Sequence, residues 1–245
     1  MVWWACLLGV FVFVVPHDVH GGLVVAIMVG LVALAFAPMG AVARWHDGRR
    51  VARVAGALSR DAFAVSRRPA DGERRTVLEE LGELARLRNG QHVSWIAHKS
   101  IRGREVTVLR HHQLAGAKGF WHGDTSIVVA MPSDDPRPGV WLIRTNATMA
   151  LRDAAIGGEQ DLRFGDAWFD RNFRIHSRDP DSLTRILTPA VRELIATGPA
   201  QESWTIGYGY VICVFGADTT ARGIGVMIER THQLVELISA EAAHR

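Results

Sequence analysis

Two uncharged apolar runs open the chain, and they contrast with the mixed polar and apolar pattern of everything after them. The longer run, residues 23–43, would extend over roughly 30 Å as a helix, which matches the hydrocarbon core of a membrane. The shorter run, residues 2–15, falls below the about 20 residues of a usual span. Trp3 and Trp4 at its start are typical anchors at a membrane interface. Because lipid cannot satisfy backbone N–H and C=O groups, both runs favour helices.

The stretch between the two runs, residues 16–22, reads PHDVHGG and has the composition of a turn. We therefore predict a transmembrane helical hairpin over residues 1–43, with spans at about 2–15 and 23–43. Two alternatives stay open. In the first, only residues 23–43 cross the membrane and residues 2–15 lie at the interface. In the second, Ala41-Val42-Ala43 ends a cleaved signal peptide, although no basic segment precedes the run and the apolar stretch is too long.

The charges after residue 43 predict which side of the membrane carries the rest of the chain. Residues 44–75 contain nine arginines opposed by four carboxylates, and no Lys or Arg precedes residue 44. By the positive-inside rule, this asymmetry places the bulk of the chain in the cytoplasm and the protein in the inner (plasma) membrane. The arginines nearest to the membrane are predicted to meet anionic lipid headgroups. These are Arg44, Arg49, Arg50 and Arg53.

Apolar residues at helical spacing predict two helices beyond the membrane, at 47–66 and 74–87. The apolar stripe of the first helix suits either the lipid interface or the surface of a folded domain. Residues 44–75 are thus predicted to form a basic juxtamembrane helix and linker, and residues 76–245 a cytoplasmic domain. Short runs rich in Val, Ile, Thr and Trp predict strands. They lie at 92–97, 104–110, 125–131 and 140–144.

Local signals in the last third of the chain predict a strand followed by a helix. Phe173 and Ile175 alternate with polar residues as on a half-buried strand, and Asp179-Pro180 is typical of a helix N-terminus. That helix is predicted to run to about residue 196, kinked but not ended by Pro189. Further strands are predicted at 204–206, 208–215 and 223–228, and further helices at 148–156 and 229–242. Because strands and helices segregate along the chain, we predict an α+β fold with a mostly antiparallel sheet.

The most distinctive stretch, residues 169–179, reads FDRNFRIHSRD and is followed by Leu187-Thr188-Pro189. It resembles the signature F-[DE]-x-x-F-x-V-x-S-x-D, then L-L-T-P, of a bacterial family of membrane-anchored proteins of uncharacterised activity. Ile175 and Ile186 replace a Val and a Leu of that signature. The matching positions are Phe169, Asp170, Phe173, Ser177, Asp179, Thr188 and Pro189.

This resemblance implies two membrane helices followed by a cytoplasmic α+β domain, and it implies no catalytic residues. It extends over about residues 165–228 by sequence and over the hairpin by architecture, whereas residues 70–160 are not matched. What it contributes is an architecture, which agrees with the architecture that the residues themselves predict.

The densest group of potential metal ligands contains His111, His112, His122 and Asp124, and imidazole with carboxylate suits zinc. Adjacent histidines on a strand point to opposite faces, so only one of His111 and His112 could join the other two ligands. Loop and surface histidines are the preferred interpretation. His111, His122 and Asp124 are kept as metal candidates.

Asp166 and Asp170 form a second candidate site, because a pair of carboxylates can act as acid and base. The neighbouring Arg171 and Arg174 favour ion pairing and helix capping instead. Residues 207–210 read GYGY without the following helix and acid of a nucleotide fingerprint, which indicates a bulge or hairpin. No catalytic residue and no cofactor is therefore predicted. The net charge of +3 comes without a compact basic and aromatic motif, so nucleic acid is not a predicted partner.

These observations favour a membrane-anchored, non-catalytic binding or scaffold protein, such as an accessory subunit of a cell-envelope transport or biosynthesis complex. Its predicted partners are anionic lipid headgroups and a membrane protein. The alternative is a membrane-tethered enzyme, or a ligand or metal sensor, whose polar groups would converge in a pocket of the cytoplasmic domain. The candidates for that site are His111, His122, Asp124, Asp166 and Arg171.

Overall fold

The computed structural model describes residue 30 and residues 45–81, 84, 92–113, 124–136, 139–145, 160–199, 202–216 and 219–243. Both predicted membrane spans lie outside these residues, apart from Gly30, and so does the predicted helix 148–156. Within the described ranges, no helix combines the length and the apolar character needed to cross a membrane. The chain divides into two compact units, Met1–Arg53 and Val54–Arg245.

Among the described residues, nine strands of the second unit form a single sheet. They are β1 (Ala64–Ser66), β2 (His92–Ile101), β3 (Arg104–Gln113), β4 (Asp124–Pro132), β5 (Val140–Arg144), β6 (Gln160–Leu162), β7 (Phe173–Ser177), β8 (Ser203–Gly207) and β9 (Tyr210–Gly216). They lie in the order β1-β2-β3-β4-β9-β8-β5-β7-β6, and every neighbouring pair is antiparallel. The predicted α+β fold with an antiparallel sheet is therefore confirmed.

Two tight turns set the register of this sheet. Arg102-Gly103 joins β2 to β3 and Tyr208-Gly209 joins β8 to β9, and all four residues have positive φ. Two-residue loops of this kind are type I′ turns, whose twist matches that of the flanking strands. Residues 207–210 therefore form a hairpin, one of the two structures that their composition indicated.

The helices are α1 (45–60), α2 (Asp71–Leu81), α3 (Ala167–Asn172), α4 (Pro180–Ile186), α5 (Pro189–Ala196) and α6 (Ala221–Ala243). Helix α2 packs on one face of the sheet, where Val77 and Leu81 join a core cluster that includes Ile212 of β9. Helix α6 packs on the opposite face, where Met227 Sδ lies 3.9 Å from Sγ of Cys213. Successive strand residues point to opposite faces. We call the two sides the α2 face and the α6 face.

Two elements predicted in the second half of the chain are wrong. Residues 223–228 belong to α6 rather than to a strand, because their apolar residues recur at helical spacing, with Ile224 and Met227 buried and Val226 47% exposed. Pro189 does not kink one helix but begins another. Helix α4 ends at Ile186, and Thr188 is the N-cap of α5, with Pro189 at its first position.

The predicted helix 47–66 is also too long, because α1 ends at residue 60 and Ala64–Ser66 pair with β2. Ala62 has a φ of 64°, its N–H donates to Ser59 O, and the N–H of Phe63 donates to Leu58 O. These are the two hydrogen bonds of a Schellman motif, in which the left-handed position is usually glycine. Leu58 and Phe63, the two positions at which an apolar contact usually accompanies this motif, are both buried.

Ala62→Gly is expected to stabilise the protein by about 0.5–1 kcal/mol. Glycine removes the strain of the left-handed conformation, and this gain is larger than the stability lost because glycine gives the unfolded chain more conformational entropy. Urea unfolding of the full chain in detergent, followed by tryptophan fluorescence, measures the change. Ala57→Gly, inside α1, is the matched control and is expected to destabilise by about 0.5–1 kcal/mol. Equal destabilisation by both variants would contradict the assignment of Ala62 as a strained cap.

Candidate functional site

Asp166 is the N-cap of α3. Its Oδ1 accepts hydrogen bonds from the N–H groups of Trp168 (3.0 Å) and Phe169 (3.1 Å), and Arg192 Nη1 donates to its Oδ2 at 2.9 Å. These contacts, with the Phe169 N–H as the largest cause, hold the pKa of Asp166 below its ordinary value. The carboxylate is thus used to begin a helix and to tie it to α5.

Asp170 closes the loop that leads into α3. Its two carboxylate oxygens accept hydrogen bonds from the N–H groups of Phe164 (2.8 Å) and Gly165 (3.0 Å), and Gly165 has a φ of 87°. The carboxylate therefore fixes a turn that needs glycine. Together with the cap at Asp166, this is the structural role that the sequence favoured over acid–base chemistry.

The aromatic residues of the signature form a buried cluster under α3. Phe169 and Phe173 are 1% and 2% exposed, and their ring centroids lie 4.8 Å apart. The guanidinium of the buried Arg144 lies 4.2 Å from the Phe173 ring centroid, a cation–π contact. Trp168 remains 45% exposed, so α3 presents an indole to solvent beside the exposed Arg171.

The remaining signature positions connect β7 to α4 and α5. The Ser177 hydroxyl lies 3.0 Å from the carbonyl of Gly139 and accepts from the N–H of Asp179. Asp179 is the N-cap of α4, as predicted, and accepts from Asp181 N–H at 3.1 Å. With Thr188 capping α5, the polar signature residues all stabilise chain turns.

A buried ion pair lies where β8 meets α5 and α6. Glu202 is fully buried, and its carboxylate lies 3.3 Å from Nε and from Nη2 of Arg230. Arg230 Nη2 also donates to the carbonyl of Leu194 at 2.7 Å. Burial raises the pKa of Glu202, and the Arg230 charge opposes that rise. A Cβ added at Gly198 would collide with both charged groups, so this glycine makes room for the pair.

A cleft opens between α2 and the sheet on the α2 face, and we call it the α2 cleft. Its volume is about 450 Å³, within the usual range for ligand pockets. Its described lining residues come from one helix and four strands. Three of them are carboxylates, and none of them is Lys or Arg. They are Glu73, Thr76, Val77, Glu80, Leu81, His98, Glu105, Thr107, Pro132 and Tyr210.

Polar groups converge at the sheet side of the α2 cleft. His98 Nδ1 lies 3.1 Å from Thr107 Oγ1 and 3.3 Å from Glu105 Oε1, across neighbouring strands. Tyr210 lies on β9 in the same cleft, and burial raises the pKa of its phenol, helped by the negative charges of Glu80 and Glu105. The cleft can therefore hold a ligand that combines positive charge with an apolar stem.

The metal candidates are not brought together by the described structure. His111 is buried on β3 opposite Ser126, Asp124 opens β4 opposite Gln113, and His122 lies outside the described residues. Over the described ranges, no group of three or more His, Cys, Asp and Glu residues is placed to hold a metal ion.

Three of the four predicted membrane-surface arginines lie on α1, in the Met1–Arg53 unit. Arg49, Arg50 and Arg53 are on the helix, and Arg44 lies outside the described residues. The Arg49 guanidinium lies 4.0 Å from the ring centroid of Trp45, which is 53% exposed.

Sequence reasoning did not identify the α2 cleft or the Glu202–Arg230 pair. The alternation in β3 places Glu105 and Thr107 on one face, which was a usable signal. Their meeting with Glu80 or Tyr210 depends on strand order and helix placement, which leave no mark in local spacing.

Comparison with known proteins returns one fold likeness. No protein-family model matches the chain, and no curated protein matches it. Among solved structures, the chain is similar to the crystal structure of the mycobacterial trehalose monomycolate transport factor A, TtfA. The alignment has a TM-score of 0.50 and 12% sequence identity, and it covers 78% of this chain and 93% of that chain. At this identity the likeness is one of fold.

Proposed function

We propose that this protein is a membrane-anchored accessory subunit of a cell-envelope transport complex, whose cytoplasmic domain binds a membrane-protein partner. The observation that carries the proposal is the fold shared with a transport factor over 93% of that factor's chain. The resemblance of residues 169–189 to a family of membrane-anchored proteins supports the same architecture, a hairpin in the membrane followed by an α+β domain.

The use of the polar signature residues supports a binding role rather than a catalytic one. Asp170, Ser177, Asp179 and Thr188 each accept backbone hydrogen bonds that cap a helix or close a turn. These contacts serve the framework of α3, α4 and α5, and α3 exposes the large aromatic side chain of Trp168 together with Arg171. Exposed Trp beside Arg is a composition enriched at protein interfaces.

The start of α1 supports attachment to the membrane surface. Trp45 and Arg49 form an exposed aromatic and cationic pair directly after the second apolar run. Tryptophan favours the membrane interface, and arginine is attracted to anionic headgroups. We propose that this part of the chain lies on the cytoplasmic leaflet.

A tag fused after Arg245 tests the topology. The full chain is expected to sediment with membranes and to stay there after an alkaline carbonate wash. The tag should resist protease added to intact spheroplasts and be digested after lysis, because the arginines after residue 43 hold the domain in the cytoplasm. An uncut chain in the soluble fraction, or a tag digested in intact spheroplasts, would overturn the proposed topology.

Photo-crosslinking tests the accessory role. Benzoylphenylalanine is placed at Trp168 or at Val226, two exposed positions on α3 and α6. One discrete adduct with an envelope transport protein, identified by mass spectrometry from at least one position in native cells, is the expected result. Adducts with lipid or with a second copy alone, at both positions, would refute the accessory role while leaving the topology result intact.

A further inference from the structure

The α2 cleft has a charge that contrasts with the rest of the protein. The chain carries a net charge of +3, yet Glu73, Glu80 and Glu105 line this cleft. Glu73 accepts a hydrogen bond from Ser66 Oγ at 3.0 Å, and Glu105 faces His98. Among the described residues, Glu80 has neither a hydrogen-bond nor an ion-pair partner. The arginines of α2 pair instead with Asp71 and Glu79 on the same helix.

The apolar part of the lining fits the stem of a long basic side chain. Val77 and Leu81, which are largely buried in the core, line the helix side, and Pro132 with the Tyr210 ring forms part of the sheet side. Arginine and lysine bury their methylene stems on such surfaces while the charged head stays at a polar rim. The carboxylates of Glu80 and Glu105 then supply charge-assisted hydrogen bonds to the head.

We propose that the α2 cleft binds a basic segment of the membrane-protein partner, with an arginine or lysine side chain inserted between α2 and the sheet. The proposal rests on the proposed function, which supplies a membrane protein on the cytoplasmic side. Cytoplasmic loops of membrane proteins carry an excess of Lys and Arg, so such a partner presents the complementary charge on the correct side.

The chain contains two tyrosines, which makes the test specific. Tyr210 lines the cleft, whereas Tyr208 lies at the hairpin turn and packs on Trp141, with 5.9 Å between ring centroids. Full-length protein labelled with 3-fluorotyrosine, in zwitterionic detergent, gives two fluorine resonances, which Tyr208→Phe and Tyr210→Phe assign. Titration with an acetylated, amidated tetra-arginine peptide is expected to shift the Tyr210 resonance saturably and to leave Tyr208 in place.

Charge-neutral variants locate the binding groups. Glu80→Gln and Glu105→Gln are each expected to lower the affinity for the peptide about fivefold, which is the effect of losing one accessible charge pair. Glu79→Gln is the matched control, since it removes the same charge from the neighbouring position of α2, where the carboxylate pairs with Arg75 outside the cleft. The Glu79→Gln variant should bind the peptide with the same affinity as the parent protein. A Tyr210 signal that does not respond, or equal weakening by Glu79→Gln and Glu80→Gln, would overturn the proposal.

The double variant Glu80→Gln/Glu105→Gln separates this inference from the proposed function. Loss of the partner adduct formed from Trp168 or Val226, with membrane sedimentation unchanged, is the expected outcome. If the adduct persists at parental yield in the double variant, the accessory role stands and the α2 cleft is not the docking site. Unchanged thermal unfolding of the double variant, followed by tryptophan fluorescence, confirms that lost binding is not lost folding.

Discussion

Replacing Arg230 by methionine is expected to destabilise the protein by about 3–5 kcal/mol at pH 7.5, because it removes the nearer and stronger of the two positive charges, Arg230 and Arg144, that act on the buried Glu202 carboxylate. Glu202 is fully buried, and the Arg230 side chain is 12% exposed. The carbonyl of Leu194 also loses the hydrogen bond that Arg230 donates to it. Urea unfolding of the full chain in detergent, followed by tryptophan fluorescence, measures the loss.

Arg222→Met is the matched control for this variant. Arg222 lies on the same helix, α6, and is exposed, so its replacement changes the net charge by the same amount without exposing a buried partner. Its effect should stay within about 0.5 kcal/mol. If the two variants unfolded at the same urea concentration, the buried pair would not be a stabilising contact.

The destabilisation by Arg230→Met should depend on pH with a definite sign. Burial raises the pKa of Glu202 above its ordinary value of 4.5, so the folded protein holds a proton at pH values where the unfolded chain has lost it. A raised carboxyl pKa therefore favours folding at acidic pH, and this contribution is lost as the pH rises through the folded-state pKa. Removing Arg230 raises that pKa further. The loss of unfolding free energy caused by Arg230→Met is therefore expected to be smaller at pH 5 than at pH 7.5. The change caused by Arg222→Met should be the same at both pH values.

The parts of the fold that the sequence predicts well are those in which local chemistry and tertiary packing agree. Asp179-Pro180 begins a helix because a capping carboxylate and a fixed proline φ both suit that position. The apolar run in β9 is buried on both faces, as a central strand of this sheet must be. The type I′ turn at 208–209 depends on a glycine that is visible in the sequence.

The wrong elements are those in which local chemistry suggests one structure and packing selects another. Gly223 and Gly225 interrupt the start of α6 and made an apolar stretch resemble a strand, yet Ile224 and Ile228 are buried at helical spacing. Ala62 occupies a left-handed cap that glycine usually marks, so the end of α1 carried no signal. The α2 cleft could not be predicted from local sequence patterns for a related reason. Its carboxylates are separated by up to 32 positions, from Glu73 to Glu105, and they meet only through the placement of α2 on the sheet and the order of its strands.

Phe169→Ala is expected to destabilise the protein by about 3–5 kcal/mol, which is the usual cost of deleting a buried phenylalanine ring. Phe169 is 1% exposed and packs 4.8 Å from Phe173, whose ring also contacts Arg144. The adjacent Trp168→Ala removes a larger side chain from the same helix, but that indole is 45% exposed. Its effect should be below about 1 kcal/mol.

The contrast between these neighbours separates a structural signature from a functional surface. If Phe169 serves the fold, its variant should lose stability and lose the partner adduct from Val226 in proportion to the unfolded fraction at the assay temperature. If Trp168 serves the partner, its variant should keep the urea midpoint while the yield of the Val226 adduct falls.

A Trp168→Ala variant as unstable as Phe169→Ala would mean that α3 is buried in the membrane-bound protein, and the surface assigned to Trp168 would then be wrong. A folded Trp168→Ala protein with an undiminished adduct would instead locate the partner contact away from α3, because an exposed indole that contributes to binding must reduce the yield when it is removed.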